Sequence, residues 1–67
     1  MKYKIFIILE GKEFEIVTEP LTKDETKIEL ERCVNTAKCS WIITTEGMLA
    51  FDIKDVKSVY FIARMIL

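Results

Sequence analysis

The chain predicts a single α+β domain over residues 1–67, with the element order β-β-α-β-β-β and antiparallel hairpins packed on one helix. Three observations lead there. Two stretches alternate apolar with polar residues around a glycine, the first around Gly11 and the second around Gly47. Between them, apolar residues recur at helical spacing. The last twelve residues, VKSVYFIARMIL, stay apolar and rich in β-branched and aromatic side chains, which suits a final strand buried in a sheet or against a second chain.

In the first hairpin, Tyr3, Ile5, Ile7 and Leu9 alternate with Lys2, Lys4, Phe6, Ile8 and Glu10. Beyond Gly11, Phe14, Ile16 and Thr18 alternate with Glu13, Glu15, Val17 and Glu19. The loop is Glu10-Gly11 or Gly11-Lys12, and both choices place Ile5, Ile7, Phe14 and Ile16 on one face. A Gly11-Lys12 loop sets Lys4 opposite Glu19 and Phe6 opposite Val17. Pro20 stops the second strand.

Thr22-Lys23-Asp24-Glu25 fits a capping box, in which the Thr hydroxyl accepts from the Glu amide while the Glu carboxylate reaches back to the Thr amide. From there Thr26, Leu30, Cys33, Val34 and Ala37 form one apolar stripe, and the helix is expected to run to about Lys38. The opposite face carries Asp24, Glu25, Glu31, Arg32 and Asn35, with Ile28 alone among them. Those carboxylates read as a solvated face favourable to the helix N-terminus, not as an acid/base pair.

Trp41 to Thr45 and Met48 to Ile53 flank a Glu46-Gly47 turn. Ile42, Thr44, Leu49, Phe51 and Ile53 share one face of this hairpin, and Trp41, Ile43, Met48 and Ala50 the other. After a Lys54-Asp55 turn, the last strand presents Val59, Phe61, Ala63, Met65 and Leu67 on one side, and Tyr60, Ile62 and Ile66 beside Arg64 on the other.

A chain of 67 residues buries only about 60% of its unfolded surface, so its apolar half must be used efficiently. The composition is 51% hydrophobic with two Gly and one Pro, which excludes intrinsic disorder. Ten basic and eleven acidic residues are mixed along the sequence, giving a net charge of −1. That balance suits neither a nucleic-acid binder nor a nucleic-acid mimic. The apolar stretch Ile5 to Leu9 is too short for a secretion signal, and the C-terminal run is too short for a membrane span and carries Arg64. A cytoplasmic protein with reduced Cys33 and Cys39 is the expectation.

Chemistry-bearing constellations are absent from the sequence. It contains no histidine, and its two cysteines are spaced C-x5-C, unlike a zinc ribbon. On one helix they would lie too far apart for a disulfide. Cys33 falls on the apolar stripe, and Cys39 is the more reachable thiol, the sole basis for any redox or nucleophilic role. Gly11 and Gly47 are isolated turn glycines without phosphate-loop spacing. Neither an enzyme nor a cofactor or metal site is expected.

One helix of about sixteen residues, roughly 24 Å long, covers one face of a small sheet. The apolar residues on the other faces then need a second surface, or else the hairpins curl into a barrel-like shape that buries them against each other. The expected function is a protein-protein interaction module that forms a homodimer, an accessory or inhibitory factor. The Ile- and Lys-rich composition, with Arg only at 32 and 64, suits an AT-rich bacterial or phage genome. Phe6, Ile8, Val17, Ile28, Trp41, Tyr60, Ile62 and Ile66 are the candidate partner-binding residues. The alternative is a nucleic-acid-binding regulator with a sheet face lined by Tyr3, Trp41 or Tyr60 and ringed by Lys2, Lys4 and Lys57.

Overall fold

Strand β1, Tyr3–Leu9, is the axis of the molecule because it is paired along both of its edges. The structure is a computed structural model and describes residues 1–37, 41–52 and 54–66. The other elements are β2 (Lys12–Glu15), α1 (Lys23–Ala37), β3 (Trp41–Thr44), β4 (Gly47–Ala50) and β5 (Val59–Met65). Their order is the predicted one. All strand pairings are antiparallel, in a three-stranded sheet β2-β1-β5 and a two-stranded sheet β3-β4.

The first hairpin turns at Glu10-Gly11, with Leu9 opposite Lys12. Both turn residues have positive φ, 49° at Glu10 and 85° at Gly11, the backbone that matches the twist of flanking strands in a two-residue loop. This choice puts Phe6 opposite Glu15, so the pairing of Phe6 with Val17 and Lys4 with Glu19 does not occur. β2 is also shorter than its alternation suggests. At Ile16 the chain still donates to the Ile5 carbonyl (2.9 Å) but bridges Thr44 on its other side. The Thr45 amide donates to the Glu15 carbonyl at 2.9 Å, so the second hairpin hangs on the free edge of the first. Past Pro20, Leu21 returns to pair with Tyr3 through two backbone bonds of 2.8 and 3.0 Å, closing the remaining edge of β1.

The capping box forms as read. The Thr22 amide donates to Glu25 Oε1 at 2.8 Å, and the Glu25 amide donates to Thr22 Oγ1 at 3.3 Å. The Thr22 backbone and hydroxyl hold the Glu25 carboxyl below the ordinary glutamate range. Its contribution to stability is therefore present at neutral pH and is lost as the pH falls through that lowered value. Along α1, Thr26, Cys33 and Ala37 are buried and Leu30 partly so, whereas Val34 is exposed at the margin of the stripe. Lys38 lies outside the described residues.

The second hairpin turns one residue earlier than predicted, at Thr45-Glu46, with Thr44 opposite Gly47. The chemistry of Thr44 explains the shift. Its buried hydroxyl accepts from the Glu46 amide (3.2 Å) and donates to the Gly47 carbonyl (2.8 Å), a side-chain turn that removes an otherwise orphaned polar group. Ile42 and Leu49 face inward together, and Trp41, Ile43, Met48 and Ala50 face outward, as the alternation requires. The Asp55 amide donates to the Asp52 carbonyl and the Lys54 amide to Asp52 Oδ1, both at 2.9 Å, making the turn at Lys54-Asp55. Ile53 and Leu67 lie outside the described residues. β5 begins at Val59, later than the apolar run does, and pairs with β1 from Leu9–Val59 to Tyr3–Met65.

Helix α1 packs across β1, β5 and β3 and covers the face bearing Ile5, Ile7, Ile16 and Ile42, joined by Cys33. Phe14, Leu21, Leu30, Leu49, Phe61 and Ala63 surround this core. No pairing links β4 to β5 among the described residues, and the molecule is elongated, 36 × 19 × 18 Å, so the strands do not close into a barrel. Among the described residues, Ile5 and Ile7 are the large side chains that are completely buried. We expect Ile7→Ala to cost about 2–5 kcal/mol, a large part of the roughly 3–10 kcal/mol available to a domain of this length. Thr22→Ala, which removes half of the capping box, should cost about 1 kcal/mol. Urea unfolding followed by circular dichroism tests this order, and an Ile7→Ala loss no greater than that of Thr22→Ala contradicts the place given to Ile7.

Candidate protein-binding surface

Total exposure does not set this chain apart. Its accessible surface of 4654 Å² is close to the ~4,400 Å² of a typical monomer of its mass. The distribution of apolar side chains over that surface is more informative, because the uncovered ones fall into separate places.

On the outer face of the three-stranded sheet, Phe6 lies between Glu15 and Ile62, and Ile8 between Glu13 and Tyr60. The sequence reading leaves both uncovered. Instead Ile8 is buried, with 8% exposure, because a central strand has neighbours on both sides whose side chains lean over it. Phe6 is half-buried under a polar strap. Arg64 on β5 reaches across β1 to make two hydrogen bonds to the Glu13 carboxylate on β2, and its guanidinium carbon sits 4.8 Å from the Phe6 ring centre. Lys4 approaches Glu15 at 3.8 Å and donates to the Thr18 carbonyl. Long charged side chains thus roof the apolar middle of this face.

Among the described residues the second hairpin has no such roof. Trp41 is 43% exposed, Ile43 49% and Met48 70%, and Ile43 and Met48 are cross-strand partners on the outward face. Val17, also exposed, adjoins them where its amide meets the Ile43 carbonyl. Between β3 and the last turns of α1 runs a groove of about 440 Å³. Its floor is apolar and buried, formed by Ile16, Cys33 and Ile42. Trp41, Ile43 and Val17 form one wall, and Arg32, Asn35 and Thr36 the other. Arg32 is tied to Glu29 on its own helix, and the Thr36 hydroxyl is turned to the Arg32 carbonyl at 2.9 Å, so two of the three polar residues of the helical wall are bonded within the helix. Burial pushes the Cys33 thiol above the ordinary cysteine value, and neighbouring Glu29 adds to the effect. The floor therefore behaves as hydrophobic surface and not as a nucleophile.

The remaining candidates divide between two places. Tyr60, Ile62 and Ile66 are exposed along β5 and just beyond it, while Ile28 is exposed on the helix. Cys39 lies outside the described residues. Of the aromatics considered for base stacking, Tyr60 shares the outer sheet face with Glu13 and Glu15, Tyr3 belongs to the opposite face, and Trp41 sits on the other hairpin. The groove wall at Asn35 and Thr36 and the strap of Arg64 and Glu13 were not legible as a site. Only the strand order brings Arg64 to Glu13, fifty-one positions apart.

Arg64 holds the Glu13 carboxyl below the ordinary glutamate range. Because this pKa is lowered in the fold, the strap is intact at neutral pH and opens as the pH falls through the lowered value. Binding of a hydrophobic dye should rise severalfold on acidification before secondary structure is lost. Glu13→Gln should bind dye at neutral pH and lack that acid step, and equal dye binding by the native chain and Glu13→Gln at neutral pH contradicts the roofing of Phe6. Searches of protein-family models, curated proteins and solved structures gave no match to this chain.

Proposed function

We propose that this chain is a non-enzymatic protein-protein interaction module that works as a homodimer, a small cytoplasmic accessory or inhibitory factor of bacterial or phage origin. The observation that carries the reading is the groove beside β3, lined by exposed Trp41, Ile43 and Val17 together with buried Ile16, Cys33 and Ile42. Aromatic residues set at the edge of an apolar depression are the usual energetic centre of protein interfaces, since they bury large area at little entropic cost. On the opposite wall the Arg32 guanidinium and the Thr36 hydroxyl have partners within the helix, so a covering apolar segment strands neither of them. None of the described helices is long and apolar enough to cross a membrane.

The test is to recover the tagged protein from its native host together with its bound partner. Ile43→Asp and Trp41→Ala should abolish recovery of a partner that the native chain retains in stoichiometric amount. Ile28→Asp, on the solvated side of α1, should leave it unchanged. Trp41 is the single tryptophan of the chain, so its emission should shift to the blue when the partner binds. Equal recovery with native, Ile43→Asp and Trp41→Ala chains contradicts the assignment of the groove.

A further inference from the structure

We infer that β5 is the dimer strand, pairing with β5 of a second copy of this chain about a two-fold axis at Ile62. The inference rests on the homodimer reading and specifies its interface.

The backbone pattern fixes which groups are free. The Ile66 amide donates to the Lys2 carbonyl at 2.8 Å, and the Glu10 amide donates to the Ser58 carbonyl at 2.9 Å. Hydrogen-bonded pairs alternate with non-bonded ones along an antiparallel ladder, so the even-numbered residues of β5 direct their backbone groups to β1. Val59, Phe61, Ala63 and Met65 therefore direct their N–H and C=O groups to the opposite edge. Among the described residues nothing bonds to them there. At seven residues this open edge is longer than that of β4, which has four. It also lacks the devices that keep edges apart, having no proline, no lysine and one charged residue, Arg64, whose guanidinium is drawn back across β1 to Glu13. Tyr60, Ile62, Met65 and Ile66 are all exposed along this strip.

A second copy of the same strand fits that edge in one register better than in others. With Ile62 opposite Ile62 of the second copy, Phe61 faces Ala63 and Val59 faces Met65 as hydrogen-bonded pairs. All four outward residues then have both of their backbone groups satisfied. Sliding two residues either way leaves one of the four beyond the end of the paired segment. The side chains agree with the centred register. On the helix-covered face a large residue, Phe61, meets a small one, Ala63. On the outer face Ile62 meets its own copy, and Tyr60 lies against the stem of Arg64 of the second copy, twice by symmetry. The product is a continuous six-stranded sheet, β2-β1-β5-β5-β1-β2, with both helices on one side.

Two measurements test this. In native protein mixed from labelled and unlabelled chains, an intermolecular proton contact is expected between the α-hydrogens of Tyr60 and Arg64. Within one chain these are about 13 Å apart along an extended strand, too far for such a signal. In a Cys39→Ser background, Ile62→Cys should oxidise to a covalent dimer, because facing residues of a non-bonded pair suit disulfide geometry, whereas Tyr60→Cys should not. If the native chain sediments as a dimer but neither the contact nor the Ile62→Cys dimer forms, the β5 interface is overturned and the homodimer reading survives. If the native chain sediments as a single chain up to about millimolar concentration, both fall.

Discussion

A strand bonded on both sides and buried on one face is the constraint on which the rest of this fold depends. β1 satisfies its backbone through β5 along one edge, and through β2, Ile16 and Leu21 along the other. That arrangement puts Ile5 and Ile7 beyond the reach of water, under α1. In so short a chain two fully buried isoleucines anchor everything else, because there is little other core to share the load. The second hairpin, which has no central strand of its own, depends on this axis through the contacts of Glu15, Ile16 and Val17 with β3.

The outer surface follows from the same geometry. Once β2 and β5 flank β1, the charged residues of the flanking strands come within reach of each other over the central strand. Arg64 and Glu13 then cover Phe6, and Ile8 is enclosed by its neighbours. A face that looks half apolar in the sequence is thereby made compatible with water without a partner. Among the described residues no flanking charge bonds across the second hairpin in this way, and its tryptophan, isoleucine and methionine remain uncovered. The two surfaces proposed for binding are thus the groove beside β3 and the outer edge of β5. They lie on different sheets, so one can serve self-association while the other receives a foreign protein.

What the sequence discloses is mostly local. Alternation around Gly11 and Gly47 assigns inward faces correctly whatever the turn, since Ile5, Ile7, Phe14, Ile42 and Leu49 keep their side in either loop. The capping box at Thr22 and Glu25 locates the helix start to the residue. Turn positions are less legible. At Thr45-Glu46 the hydroxyl of Thr44 outweighs the glycine, a signal that a threonine followed two residues later by a turn amide could have supplied. Least legible is the partner of β5. Its apolar alternation suits pairing with β4 as well as with β1, and only the three-dimensional order decides which edge stays open and which charges meet. For that reason the alternation alone leaves Ile8 and Phe6 uncovered, whereas Ile8 is buried and Phe6 half-buried.

β1 seals the interior and leaves β5 with an open outer edge, where we propose that a second copy of the chain pairs. Amide hydrogen exchange resolved by residue tests it most directly, measured at several protein concentrations. Slow exchange is expected throughout β1 at every concentration. The amides of Phe61, Ala63 and Met65 should be protected in concentrated solution and lose that protection on dilution, while those of Tyr60, Ile62 and Arg64 keep theirs. Rapid exchange at Phe61, Ala63 and Met65 in concentrated and dilute samples alike would contradict it.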